Sequence, residues 1–320
     1  MPSIITHGLF AKNVLDHLND KKLIQIIKKH PREFIIGSNG PDFFFFYKIF
    51  NSKAKKIRDV GNFVHSLSIN DFFLNAFEII ENEEDLILKE AMTSYMIGHL
   101  CHWALDSCTH PYVFYKTGAY TGISESMHHR FESMIDTILL KEIKNESIKT
   151  FKFYLLAKQS KNTLDVISKI YIPTVKKLYD ADITRKHIKD ALNDWYQCLS
   201  FLYDPNKSKV KLFKVYEKIK QHPWLYSGNI IPLEIDETYD VLNRKKETWC
   251  YPTDKDKKSN ESFMELYDKA RLLVVDIIEH IEDKDYMITH IKNTSYDTGE
   301  SEVKELMYFD YIYGGENENI

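Results

Sequence analysis

A chain of 320 residues that is 43% hydrophobic and 28% charged is long enough to bury a sizeable core without disulfides or a structural metal, and too apolar to be disordered. Its formal net charge of -4 excludes the broad basic footprint that coats duplex nucleic acid. The four cysteines, Cys101, Cys108, Cys198 and Cys250, form no CxxC pair, which argues against a thiolate zinc knuckle or a disulfide framework and for reduced thiols in a cytosolic protein.

The N-terminal stretch MPSIITHGLFAKNVLDHL lacks a basic segment followed by an apolar one, and no run approaches bilayer-spanning length. The protein is therefore expected to be cytoplasmic and untethered. Apolar spacing and the scarcity of glycine predict an all-α chain. Helices are expected near residues 8–30 with a break, 60–80, 84–108, 124–145, 162–179, 185–203, 207–220 and 260–284. Gly37, Gly40 and Pro41 mark a loop before the run Phe43 to Tyr47, and His110-Pro111-Tyr112 is expected to end the helix that contains Asp106. Residues 221–260, with Pro223, Pro232 and Pro252, read as a long irregular connection inside one domain spanning residues 1–290. Residues 291–320 are expected to form a loosely attached acidic tail.

Nine of the thirteen histidines precede residue 130, and the densest stretches read GHLCHWALDSCTHPY and SMHHRFESMID. His102, Asp106 and His110 fall at four-residue steps, which stacks three metal-type ligands on one helix face; His128 and Glu132 repeat the step on the next helix. His99 and His129 sit beside this pattern but break the step, so His102 and His128 are favoured. Asp42, after the Gly/Pro loop, and His65, in GNFVHSLSINDFF, bring the candidates to seven. Two facing helices that present N and O ligands inward are how helical bundles build dinuclear sites. Taken singly, each HxxxD or HxxxE has a bland explanation in a satisfied core imidazole or an exposed pair worth about 0.3–0.5 kcal/mol. Their concentration on helices carrying Leu100, Trp103, Ala104, Leu105, Met134 and Ile135 favours a metal, because buried charge persists only when paired or metal-bound. Imidazole and carboxylate without thiolate is the ligand set of hydrolytic zinc, and manganese or iron tolerates the same donors.

The ordered set GPDFFFFY, HSLS, GHLCHWALDSCTHPY and HHRFE resembles the metal-binding core of the zinc-dependent phospholipases C, in the lineage of their leaderless intracellular members. Weaker echoes in ETWCYP and SFMELYDKA extend the resemblance over nearly the whole chain. It implies a multi-helix bundle of the type shared with zinc-dependent single-strand nucleases. It also implies one zinc on Asp42, His65, His102 and Asp106 and a second on His110, His128 and Glu132. A third would be held by His7 and the shared Asp106, together with a terminal amine and carbonyl. The acidic partner of the family's choline pocket has no clear counterpart here, so choline specificity does not carry over.

The function expected from these ligands is metal-assisted hydrolysis of a phosphodiester, possible substrates including phospholipid, with Asp42 either ligating or acting as the general base that orients water. The run beginning at Phe43 is either core or the wall of an apolar substrate pocket. The alternatives are a zinc-dependent nuclease or nucleotidase, in which aromatic stacking replaces head-group recognition, and a non-catalytic metal-binding protein. The lysine-rich segment KSKVKLFKVYEKIKQ, from Lys207 to Gln221, reads first as a solvated helix face and second as a contact for an anionic membrane surface.

Overall fold

Helix α6 (Leu86–Thr117) is buried on all sides from Ala91 onward, and a helix without a polar face is stable in water only when other helices surround it. The computed structural model, which describes residues 3–302 and 304–314, surrounds it in that way. Around it pack α1 (Ile4–His17), α2 (Lys21–Lys29), α3 (Pro31–Gly37), α5 (Ile69–Glu81), α7 (Ile123–Lys144), α8 (Thr163–Tyr179) and α11 (Phe263–Glu279). The remaining helices are α4 (Lys55–Ser66), α9 (Arg185–Leu202), α10 (Ser208–Lys220) and α12 (Lys284–Ile291). One contiguous apolar core runs from Ile4 to Tyr313. The all-α class is borne out.

Local chemistry sets the helix ends. Asp85 caps α6 by accepting from the Ile87 and Leu88 N–H groups, and Asp20 caps α2 through Lys22 and Leu23. Ser262 and Glu265 form a reciprocal capping box at the start of α11. The first turn of α1 is held from a distance: the Asp136 carboxyl in α7 accepts from the Ile5 N–H at 3.3 Å, the Thr6 N–H at 2.8 Å and the Thr6 hydroxyl at 2.6 Å. Burial pushes that carboxyl up to about 7 against the pull of these donors. Helix α3 lies so close to α6 that a Cβ on Gly98 would fall 2.2 Å from the Phe34 carbonyl oxygen, so only glycine permits the approach.

Four expectations need correction, the first being the single helix over residues 60–80, which the structure divides into α4, ending at Ser66, and α5, starting at Ile69. Pro111 does not end the helix; α6 continues to Thr117 and stops at Gly118, where φ is 97°. The main-chain bond lost at an internal proline costs about 3 kcal/mol, and burial of Tyr112, Val113 and Phe114 just beyond it offsets that loss. The irregular connection contains a two-stranded antiparallel hairpin, β1 (Trp249–Tyr251) and β2 (Asp254–Ser259), in register Trp249 to Ser259 and Cys250 to Lys258. Its strand DKDKKS is largely exposed and lacks the apolar alternation that marks a strand in sequence. Finally, the segment after 290 is not loosely attached over its described part. Ile291, Tyr296 and Tyr313 are buried, the Tyr296 N–H donates to the His65 carbonyl at 3.0 Å, and the Ile312 N–H donates to that of Lys116 at 2.9 Å. The end of the expected tail, residues 315–320, lies outside the described residues.

Candidate metal centre

Because α6 does not break at Pro111, His102, Asp106 and His110 occupy successive turns of one continuous helix and point to the same side. His128 and Glu132 on α7 face them, His65 arrives from α4, His7 from α1, and Asp42 from the short 3-10 turn Asp42–Phe46. All eight side chains are buried. Three groups of them bring ligand atoms within 4.8 Å of one another: His7 with His102 and Asp106, Asp42 with His65 and His102, and His110 with His128 and Glu132.

Asp106 is the hub. Its Oδ1 lies 3.2 Å from His7 Nε2 and 3.6 Å from His110 Nε2, and its Oδ2 lies 3.3 Å from His102 Nε2. Asp42 Oδ1 stands 3.3 Å from His65 Nε2 and 3.5 Å from His102 Nε2. Glu132 Oε1 stands 3.5 Å from both His110 Nε2 and His128 Nε2. A charge-assisted N–H···O bond would draw such atoms to about 2.7–2.9 Å. Tetrahedral zinc, with ligand bonds of about 2.0–2.1 Å, holds neighbouring donors about 3.3–3.4 Å apart. The spacing matches the second case.

The outward-facing ring nitrogens support the same conclusion. His65 Nδ1 lies 2.8 Å from the Gly61 carbonyl oxygen and His110 Nδ1 lies 3.0 Å from that of Tyr296; a carbonyl only accepts, so each Nδ1 carries the proton. His128 Nδ1 is 3.2 Å from the Thr117 hydroxyl, whose single proton goes to the Val113 carbonyl, so Nδ1 donates here too. Each Nε2 is then left as the inward donor, in the arrangement by which proteins orient metal-ligating histidines. An Nε2 lone pair facing a carboxylate oxygen requires a cation between them. Asp42 Oδ1, Asp106 Oδ2 and Glu132 Oε2 are buried without a hydrogen bond among the described residues, which is the acceptor capacity that a cation would satisfy. The donor set therefore fits zinc.

In the metal-free protein protons do this work. Burial alone would lower the imidazoles, yet Asp42 beside His65 raises it to about 9, and Asp106 and Glu132 raise His110 to about 10. Burial alone would likewise raise the carboxyls, but His102 and His65 hold Asp42 well below its usual range. His110, His102 and His7 hold Asp106 at about 2, and His128 and His110 depress Glu132. For His102, burial prevails and its basicity falls.

Behind the centre runs a chain of buried hydrogen bonds that sequence reasoning missed. Tyr296 OH lies 2.9 Å from His99 Nε2, His99 Nδ1 lies 3.3 Å from Tyr171 OH, Tyr171 OH lies 3.2 Å from Tyr95 OH, and Tyr95 OH lies 3.3 Å from the Gly40 carbonyl oxygen. That carbonyl can only accept, and each hydroxyl has one proton. Tyr95 OH is placed to donate both to that carbonyl and to the Tyr171 hydroxyl, its one proton serving either contact, and His99 bridges Tyr171 and Tyr296 through its two ring nitrogens. Burial drives the His99 basicity well down, which suits a neutral ring. The chain ties the C-terminal segment to the loop that carries Asp42. His129, the other neighbour of the ligand pattern, lies 3.2 Å from the Tyr120 hydroxyl and outside the three groups.

Phe43 does not line an open pocket: it is 1% exposed and packs on Phe44 and Tyr171. The aromatics that touch the centre include half-buried Phe45 beside His65, Phe114 beside His110 and His128, Tyr120 against His128, and Tyr296 against His65 and His102. A small pocket lined by Ser3, Thr6, His7, Asp106, His110 and Glu132 reaches the cluster, and Asp297 stands 4.0 Å from His110 Nδ1. The larger cleft around Thr137, Lys141, Glu146 and Ile235 contains none of the eight residues and no histidine or cysteine, so its size gives it no claim on the chemistry. The terminal amine expected at the third group belongs to residues 1–2, outside the described residues.

Gly40 sets the distance between loop and helix. Its φ is 48°, and a Cβ there would lie 2.2 Å from His102 Cδ2. Gly40→Ala is expected to displace His102 and weaken zinc binding by roughly tenfold or more, the scale on which a disturbed ligand orientation lowers metal affinity. Titrating zinc into metal-free protein of unchanged helix content checks this; wild-type affinity would show that the loop yields harmlessly.

Among comparisons with known proteins, a family model described as "Zinc dependent phospholipase C" matches residues 6–181, more than half of the chain and all eight candidate ligands. Neither the curated proteins nor the solved structures give a match.

Proposed function

This chain belongs to the zinc-dependent phospholipase C family, and we propose that it hydrolyses a phosphodiester bond, phospholipid being the leading substrate class, at a centre of two or three zinc ions held by His7, Asp42, His65, His102, Asp106, His110, His128 and Glu132. The observation that carries the proposal is the facing of Nε2 atoms and carboxylate oxygens at 3.2–3.6 Å, too far for charge-assisted hydrogen bonds and right for a shared small cation. Zinc bound there would supply Lewis acidity, countering charge on the phosphate oxygens and acidifying the attacking water.

The chain's own groups do the rest. Gly61 O, Tyr296 O and Thr117 Oγ1 hold three imidazoles in the tautomer that presents Nε2 inward. Asp42 is the carboxylate to which we assign the proton-accepting role: it faces two imidazoles and keeps an unbonded buried oxygen, and its depressed basicity in the metal-free protein reflects His102 and His65. Phe45 and Phe114 narrow the surroundings and exclude water. Residues 1–290 with the segment through Gly314 are read as one hydrolase domain, on the strength of their single core. Four free cysteines suit a reducing cytoplasm, and among the described residues no helix is long and apolar enough to cross a membrane.

The test is elemental analysis of the purified protein followed by a panel of phospholipid, single-stranded DNA and a small phosphodiester. Zinc at two or three ions per chain with release of diacylglycerol is the expected result. Cleavage of DNA alone would move the protein to the nucleases, and full zinc occupancy without any hydrolysis would make the centre structural.

A further inference from the structure

Helix α10 is turned the wrong way round for a soluble protein. Its only buried residue is Glu217, whose carboxylate accepts from the Tyr226 N–H at 2.9 Å, the Ser227 N–H at 2.7 Å and the Ser227 hydroxyl at 2.8 Å. A polar clamp thus holds the inner face, with half-buried Val210 and Phe213 beside it and the Phe213 ring against Tyr226. Leu212, Val215, Tyr216 and Ile219 recur at the spacing of a single helix face, and at 3.6 residues per turn they fill an arc of about 100° on the side opposite Glu217. Leu212 is 68% exposed, Val215 62% and Ile219 74%. Lysines border this ridge on both sides: Lys211, Lys214 and Lys218 along one, Lys209 and Lys220 along the other. Between Lys207 and Lys220 the chain carries six lysines and one glutamate, in a protein whose net charge is -4. Lys207 pairs with Glu234 and Lys209 bonds the Tyr203 carbonyl, whereas Lys211, Lys214, Lys218 and Lys220 make no ion pair among the described residues.

An apolar ridge facing water costs free energy, and a flanking row of unpaired lysines makes the covering surface an anionic one. We propose that α10 is a docking helix for an anionic phospholipid bilayer, lying along the surface with Leu212, Val215 and Ile219 among the acyl chains and the lysines at the head groups. The choice of occupant rests on the phospholipase reading, because a protein that cleaves phospholipid must reach the interface where it lies. The geometry and the charge are independent of that reading. The helix is also tied to the metal centre: His222, two residues past its end, bonds the Ser126 hydroxyl at 3.0 Å, and Ser126 lies two residues before His128 on α7. Docking would therefore set the centre close to the lipid surface.

Flotation of the full chain with vesicles of phosphatidylcholine plus phosphatidylserine, against phosphatidylcholine alone, at low and high salt, tests the proposal. Wild type is expected to float with the serine-containing vesicles and to be released by salt. The double variant Leu212→Gln/Ile219→Gln should bind at least about tenfold more weakly. The triple variant Lys211→Gln/Lys214→Gln/Lys218→Gln should lose about a hundredfold, at roughly fivefold per lysine. Both should keep wild-type helix content and turn over a short-chain monomeric phosphodiester at the wild-type rate. Failure of wild type to float overturns the proposal, as does equal flotation of all three proteins. So does a wild-type dimer that the Leu212/Ile219 variant dissolves, since the ridge would then belong to a second copy. Flotation that depends on α10, without hydrolysis of any phosphodiester, supports the docking helix and sinks the phospholipase reading.

Discussion

Replacing Asp106 with asparagine is expected to strip zinc from the protein and lower phosphodiester turnover by at least about a hundredfold, whereas Asp42→Asn is expected to abolish turnover while leaving most of the zinc bound. The difference follows from connectivity. Asp106 touches His7, His102 and His110, so its charge is shared by every imidazole around the hub. Asparagine keeps the shape but presents one neutral oxygen where two charged ones stood, and the three imidazoles that remain cannot offset cation charge. Among the described residues the Asp42 carboxylate touches His65 and His102 alone, and both imidazoles keep Asp106 or its neighbours as further anchors. Losing its charge removes the proposed proton acceptor before it removes the metal. Elemental analysis and rate measurement on the same samples, with helix content as the control for folding, separate the two outcomes. Wild-type turnover in Asp42→Asn would refute its catalytic assignment, and an Asp106→Asn protein with full zinc and full activity would refute the hub.

How much of this was legible in sequence depends on how local each contact is. The four-residue steps His102-Asp106-His110 and His128-Glu132 are properties of single helices, and the structure brings both sets together as their spacing implied. The arrival of Asp42, His65 and His7 from other elements has no spacing signature; residue type and local context made Asp42 and His65 candidates, and the family resemblance alone added His7. Tyr296 had neither signal. It contacts His110 across 186 residues and His99 across 197, and the family match ends at residue 181, so a tyrosine in an acidic stretch read as tail. The continuation of α6 through Pro111 was hidden for a related reason. Proline's local cost is readable from sequence, while the burial of Tyr112 and Val113 that offsets it is a tertiary fact. In α10 the period was readable but its orientation was not, because which face turns inward is decided by the Glu217 clamp to Tyr226 and Ser227, which lies beyond the helix.

Chelation of the metal is expected to lower the melting temperature by roughly 10 °C near neutral pH, and the gap between zinc-loaded and chelated protein should widen as the pH rises toward 10. Without zinc, protons on His65 and His110 hold the buried carboxylates. Both groups have folded values above the ordinary imidazole value, at about 9 and about 10. Their stabilisation is therefore complete below about pH 6.5 and is lost as the pH climbs through 9 to 10, when three buried carboxylates face neutral rings. Asp42, Asp106 and Glu132 have depressed folded values, Asp106 at about 2, so their stabilisation is present above about pH 4 and is lost only on strong acidification. The alkaline limb is thus the informative one for the chelated protein. Zinc reverses its sign, because binding requires imidazoles free of protons at Nε2 and so strengthens over the range in which the protonated network fails. Thermal denaturation in zinc and in chelator, scanned from pH 6 to pH 10, reads both effects. Parallel curves over that range would mean that the imidazoles and carboxylates between His7 and Glu132 hold no metal, and the hydrolytic reading would lose its physical basis.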